Sequence, residues 1–280
     1  MMEHFQTEWK TNDGLKIFAQ YWKSDVIPAK AIVCFVHGIG DHSSRHAHVA
    51  EAFTNAGFVF YTADQRGHGQ SEGQRGHFPS PDSILQDIDL LLQNARKSFP
   101  GLPVILYGHS MGGILVLYYA LKRKPDLAGV ISNSPGLHNA LQKKPLLIMA
   151  ARILGSLFPH MSISNGLDLK GISRDPVMLQ AYKNDPLIHN RITMGLGKVM
   201  LGVTNWTIEN TGSFPLPLLI MHGKADIITH ASGSIAFAAP LGKTCSLILW
   251  EKAFHEIHNE PEKNEVISAM TDWANSLTVE

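Results

Sequence analysis

Gly108-His-Ser-Met-Gly112 sets a serine between glycines, directly after the apolar run Val104-Ile-Leu-Tyr107 and directly before the helical pattern Ser110 to Lys122. A serine on a tight strand-to-helix turn projects its hydroxyl beyond the sheet, where it can attack an acyl carbon. Such a turn strains the nucleophile's backbone and demands small neighbours, a role filled by Gly108, Gly112 and Gly113. A hydroxyl is a weak nucleophile until a neutral imidazole accepts its proton, so a base and a carboxylate to orient it must follow. Serine elbows of this kind take their partners in the chain order Ser, Asp or Glu, His. Leu218-Leu-Ile-Met-His-Gly-Lys-Ala-Asp226 supplies a strand whose exit ends in Asp226, whereas Ser132, Asn133 and Ser134 after the preceding strand offer no carboxylate. Leu247-Ile-Leu-Trp-Glu-Lys-Ala-Phe-His255 places His255 just beyond the last strand; His258, three residues on, is its rival. His255 is preferred because it leaves the strand first. His37-Gly-Ile-Gly40 also follows an apolar strand, and its glycines let the Ile39 amide join that of Met111 in facing a developing oxyanion.

These residues are useful only if the chain brings them to one edge of one sheet. Phe5 to Trp22 reads as a hairpin turning at Asn12-Asp13-Gly14, and Ala31 to Val36 as a strand buried on both faces. Arg45 to Ala56 is helical in pattern and Phe58 to Ala63 is a strand. Ser80, Pro81 and Asp82 open a helix whose apolar face is Ile84, Leu85, Ile88, Leu91, Leu92 and Ala95. Leu127 to Ile131, Leu216 to His222 and Cys245 to Trp250 read as further strands, with a helix near Ile235 and a last one carrying Val266, Met270, Trp273 and Leu277 on one stripe. Strand and helix alternate, which predicts a mostly parallel α/β sheet with helices on both faces. Between Pro135 and Phe214 the alternation fails. Residues 1–135 and 215–280 therefore read as the catalytic domain, and 136–214 as an inserted lid.

Composition removes several function classes. Lys plus Arg equals Asp plus Glu at 24 each, so no basic excess points to nucleic acid. The histidines at 37, 42, 46 and 48 lack the spacing of a familiar metal site, and His255-Glu-Ile-His258 sets its histidines three apart rather than four. Gly67 to Gly76 lacks the Gly-Lys-Ser/Thr of a phosphate loop. No cofactor and no metal are expected. The N-terminus has no basic-then-apolar leader, so the cytoplasm is the expected location, and Leu146 to Phe158 is too short to span a bilayer.

The chain resembles the monoacylglycerol lipase and lysophospholipase group of α/β-hydrolases. The resemblance rests on His37-Gly-Ile-Gly-Asp-His-Ser43 with Arg45, Asp64 to Gly73, Gly108-His-Ser-Met-Gly-Gly113, Tyr182-Lys-Asn-Asp-Pro-Leu-Ile-His189, Met221-His-Gly-Lys-Ala-Asp226 and Ala253-Phe-His255. It implies the α/β-hydrolase fold, Ser110, Asp226 and His255 as triad, Ile39 and Met111 as oxyanion amides, and a lid between. It also implies that Asp64, Arg66, Gly67 and Gly69 brace loops. Asp41 stands where relatives often carry glutamate, and His46 where they often carry an aromatic. The expected substrate is a lipid-like carboxylic ester, foremost a monoacylglycerol; lysophospholipids, short esters and thioesters are the alternatives, and an inactive binding protein the other class. The apolar Pro145 to Phe158 has two readings: a lid surface for peripheral membrane contact, or a helix packed on the catalytic domain. Oligomeric state is left open.

Overall fold

A computed structural model describes residues 2–138 and 145–278. The strands are β1 (Met2–Lys10), β2 (Lys16–Ser24), β3 (Ala31–Val36), β4 (Phe58–Ala63), β5 (Val104–His109), β6 (Gly129–Asn133), β7 (Ser162–Ser164), β8 (Arg191–Thr193), β9 (Leu218–Gly223) and β10 (Cys245–Trp250). The helices are α1 (Ala47–Asn55), α2 (Pro81–Ser98), α3 (Met111–Arg123), α4 (Pro145–Leu157), α5 (Pro176–Asn184), α6 (Met194–Glu209), α7 (Ala231–Ala238) and α8 (Lys263–Ser276).

The main sheet runs β1-β2-β4-β3-β5-β6-β9-β10. From β4 to β10 every pairing is parallel, while β1 and β2 form the antiparallel hairpin at one edge. β3, β4, β5, β6 and β9 are buried along their whole length, which explains their unbroken apolar runs. One face carries α2, α3, α6 and α7 over residues such as Leu106, Ile114 and Phe237; the other carries α1 and α8 over Phe35, Phe53 and Met270. The chain leaves β3 for β4 on one side and returns to β5 on the other. That reversal opens a crevice at the carboxyl end of β3 and β5, where the loops of this sheet can hold a ligand.

The capping serine of α2 is in place, Ser80 Oγ accepting from the Ser83 amide, and all six residues of its predicted apolar face are buried. Asp64 Oδ1 accepts from the Ser43 amide and hydroxyl at 2.8 and 2.6 Å, its Oδ2 accepts from the Gln70 amide, and Arg66 is held between Asp13 and Asp87. Two strands lie further along the chain than their apolar runs. β5 continues through Gly108 and His109, and β6 spans 129–133 instead of 127–131. Their last residues are polar but satisfied inside the protein: the Ser132 hydroxyl donates to Gly113 O at 2.9 Å and Asn133 Nδ2 to His258 Nδ1 at 2.8 Å. The region after β6 is helical, as its pattern suggests, but it also contains the small antiparallel pair β7–β8. Residues 139–144 of the predicted lid lie outside the described residues. Among the described residues no helix is long and apolar enough to cross a membrane.

Candidate active site

Ser110 stands between β5 and α3 with φ 58° and ψ −115°, a left-handed conformation that a serine adopts only under constraint. The constraint is tight. A Cβ on Gly108 would lie 2.2 Å from Gly112 O, and one on Gly112 would lie 2.0 Å from Val36 O. The Ser110 amide donates to Asn133 O at 2.9 Å, tying the elbow to the neighbouring strand.

The structure brings the three widely separated residues together. His255 Nε2 is 2.8 Å from Ser110 Oγ, and His255 Nδ1 is 2.7 Å from Asp226 Oδ2. Asp226 is fixed in turn: its Oδ1 accepts from the amides of Ile228 and Thr229 at 2.7 and 3.0 Å, and its Oδ2 from the Thr229 hydroxyl at 2.9 Å. Burial disfavours the Asp226 charge, yet the facing His255 and the bonds from His222 and His255 hold its carboxyl far below the usual carboxylate range. Burial likewise pulls the His255 imidazole down, but Asp226, its hydrogen bond and Glu256 outweigh that and raise it. This arrangement can take a proton from Ser110 near neutrality and stabilise the resulting imidazolium. His258 is not brought to Ser110. It is buried behind His109, with its ring 4.6 Å from that of His109.

The Ile39 loop runs against the serine, for a Cβ on Gly38 would lie 3.2 Å from Ser110 Cβ. His37 fixes the loop, its Nε2 accepting from the Gln65 amide at 2.9 Å while Nδ1 donates to Gly38 O at 2.8 Å. Met111 is the first residue of α3, so its amide has no carbonyl one turn earlier in the helix to bond. Ile39 borders the space in front of Ser110, together with Leu167, Ile172 and Ile228 on the apolar side.

The polar side of that space holds Asp41, Glu256 and Tyr182. Arg45, its side chain 9% exposed, bridges the two carboxylates, at 2.7 Å to Asp41 and 2.9 Å to Glu256, and lies over the Tyr182 ring. Despite burial, this arginine and His46 keep Asp41 well below the usual carboxylate range, and Arg45 lowers Glu256 as well. Sequence reasoning passed over Glu256, His222 and Thr229. The signal for Thr229 was present, since a hydroxyl three residues after an acid at a strand exit can bond it; Glu256 meets Arg45 across 211 positions and gave none.

The base loop is also tied to the segment between β6 and β9. The His255 amide donates to Gly171 O and the Glu256 amide to Ile172 O at 2.8 Å, the Ser173 hydroxyl donates to Asn259 O, and Arg174 pairs with Glu260. Among the described residues no three His, Cys, Asp or Glu side chains are grouped to hold a metal ion.

Residues 27–262 match the family model Hydrolase_4, described as serine aminopeptidase, S33. An uncharacterized abhydrolase domain-containing protein of Dictyostelium discoideum is 38% identical over 94% of this chain, which spans only 28% of that protein's length. The monoacylglycerol lipase of Mycolicibacterium smegmatis is 31% identical, with 93% of each chain covered. A crystal structure of Paleococcus ferrophilus monoacylglycerol lipase superposes with a TM-score of 0.84 at 32% identity, covering 98% of this chain and 99% of that one.

Proposed function

The chain belongs to the Hydrolase_4 family of serine hydrolases and acts on lipid esters, and from that membership we propose that it cleaves monoacylglycerols through an acyl-enzyme on Ser110. The observation that carries this reading is the hydrogen-bonded line from Ser110 through His255 to Asp226, at 2.8 and 2.7 Å. His255 takes the Ser110 proton as Oγ attacks the ester carbonyl. The amides of Ile39 and Met111 hold the oxyanion, and Asp226 keeps the imidazole in the tautomer with its proton on Nδ1. His255 then gives the proton to the departing alcohol, and water, activated by the same base, releases the fatty acid.

The headgroup assignment rests on charge. Two carboxylates border the polar side of the site and a single guanidinium bridges them, so the trio is net negative. An uncharged glycerol meets no repulsion there, whereas a phosphate headgroup does. Residues 136–214 act as a lid in this reading. Leu146, Met149, Ile153 and Leu157 of α4 lie one turn apart and are each more than half exposed, which supports shallow contact with a lipid surface. Cys34 and Cys245 are free, in keeping with a cytoplasmic place of action.

A fluorophosphonate probe should label the wild-type serine, and Ser110→Ala should lose both label and turnover, by about 10⁶-fold. Folded wild type that resists labelling, or a Ser110→Ala variant that still turns over ester, sinks the triad. In the same assay 1-monooleoylglycerol should exceed lysophosphatidylcholine and p-nitrophenyl butyrate in kcat/KM. The reverse order overturns the headgroup assignment alone. Ile153→Glu should reduce co-sedimentation with phosphatidylcholine vesicles; unchanged co-sedimentation removes the role given to α4.

A further inference from the structure

His222 is the polar exception in β9. Leu218-Leu-Ile-Met221 precede it, the whole strand is buried, and the imidazole lies fully inside. A polar ring so placed is costly unless its nitrogens find partners. His46, His109 and His258 meet that demand by half, each leaving one ring nitrogen without a partner among the described residues. His222 uses both. Its Nδ1 lies 2.7 Å from Ser234 Oγ on α7, and its Nε2 lies 2.8 Å from Thr229 O and 3.2 Å from Asp226 Oδ2. The carbonyl and the carboxylate that Nε2 faces are both acceptors, so that nitrogen carries a proton. The turn after β9 is thus wound around one N–H, which reaches the acid and the carbonyl three residues beyond it.

The consequence falls on the catalytic base. Asp226 Oδ2 accepts from His255 Nδ1 at 2.7 Å, from the Thr229 hydroxyl at 2.9 Å and from His222 Nε2 at 3.2 Å. Donors to a carboxylate stabilise its charge and weaken its hold on any one proton. We propose that His222 is a positioning residue of the triad, whose Nε2–H steers Asp226 Oδ2 and draws off part of that oxygen's pull on the Nδ1 proton of His255. The imidazole is thereby kept free to accept from Ser110. The inference rests on the triad as read above. Besides Asp226, the titratable and charged groups facing His255 are Glu256, with its partner Arg45, and His109, whose ring is 5.0 Å away. Without the His222 donor, Oδ2 holds the His255 proton harder and the imidazolium persists to higher pH. Loss of the donor therefore moves the acid limb of activity upward, whereas loss of the carboxylate itself moves it downward.

The test is the pH dependence of kcat/KM for 1-monooleoylglycerol in the full chain. His222→Met keeps the bulk and removes the donor, and should raise the acid limb by about half a pH unit or more, a loss of about threefold on that limb. His222→Asn places an amide at the depth of Nδ1, toward Ser234 but short of Asp226, and should follow His222→Met. His222→Gln gives up the Ser234 contact but returns an NH₂ at the depth of Nε2, where the same two acceptors await it; its limb should stay within about 0.2 pH units of wild type. A merely structural role would move all three alike. Beside Asp226→Asn, His222→Met should add no further shift, since a residue acting through Asp226 has nothing left to act on. A limb unmoved or lowered in His222→Met and His222→Asn overturns the proposal. So does one raised equally by His222→Gln, or one that His222→Met still raises beside Asp226→Asn. Wild type that resists the fluorophosphonate probe sinks the triad itself; labelled wild type with an unmoved limb in the variants sinks this inference alone.

Discussion

Replacing Asp226 by asparagine tests the site more sharply than deleting the serine, because the structure dictates how the amide must sit. Oδ1 of Asp226 accepts from two backbone amides, at 2.7 and 3.0 Å, so the asparagine oxygen has to take that position. Its NH₂ then replaces Oδ2 and points at His255 Nδ1, 2.7 Å away in the wild type. The Thr229 hydroxyl, which donates to Oδ2, can turn to Ser134 O at 3.1 Å, so the exchange leaves no hydroxyl stranded. Facing a donor, Nδ1 must accept, and the ring proton moves to Nε2. That nitrogen now donates toward Ser110 and is unable to take its proton. The same tautomer error in a serine-protease triad lowers turnover by about 10⁴, or about 5.4 kcal/mol of barrier at 1.36 kcal/mol per decade. A second signature follows from charge. In the wild type His255 is raised above its ordinary value, so activity falls as pH drops through that raised value. Asp226→Asn removes the carboxylate but not the burial, so the acid limb of kcat/KM should move to lower pH while the plateau falls. The assay is the pH profile of monooleoylglycerol hydrolysis for both proteins. A plateau loss below tenfold, or an acid limb that stays in place or moves upward, refutes the reasoning.

Three further outcomes concern stability. Gly112→Ala places a methyl 2.0 Å from Val36 O and should destabilise the fold by about 3 kcal/mol or more in urea titrations, whereas an unchanged midpoint contradicts the packing at the elbow. Arg66→Ala leaves Asp87, largely buried, without its cation and should cost about 2–3 kcal/mol by the same measurement, below the full penalty because Asp87 keeps some solvent. Burial, reinforced by neighbouring imidazoles, holds His68, His109 and His258 well below their ordinary value. The unfolded chain takes those protons first, so their stabilisation is complete above about pH 6.5 and is lost as pH falls below it. His255, raised, contributes in the opposite sense, but it is one group against three. The melting temperature should therefore drop by about 5 °C or more between pH 7.5 and 5, and a flat profile contradicts buried neutral imidazoles.

Much of the architecture is local information and was readable as such. Doubly buried strands announce themselves as apolar runs, and β3 and β4 begin and end where those runs do, as does β10 at the half-buried edge of the sheet. The helix opened by Ser80 and Pro81 is equally self-declaring. Strand ends were harder. Ser132 and Asn133 look like loop because their polarity is visible in the sequence and their buried partners, Gly113 O and His258, are not. For the same reason nothing in the sequence joins Glu256 to Asp41 and Arg45, although the three form one network. Lys124 takes a left-handed φ of 45° at the end of α3, a position where glycine would have signalled the stop. His255 could be preferred over His258 from strand exit alone, but only tertiary packing shows where the second imidazole goes.

The four residues Gly171 to Arg174 divide the segment between β6 and β9 mechanically. They hold the backbone of His255 and Glu256 and the turn that follows, so pulling them outward would carry the imidazole off the serine. If residues 136–214 act as the proposed lid, a mouth that widens for an acyl chain while keeping the base in register opens at α4, since Leu196 and Val203 of α6 are part of the buried core. In such a molecule substrate admission and base alignment are separate degrees of freedom, and a change in α4 can alter entry without retuning the chemistry.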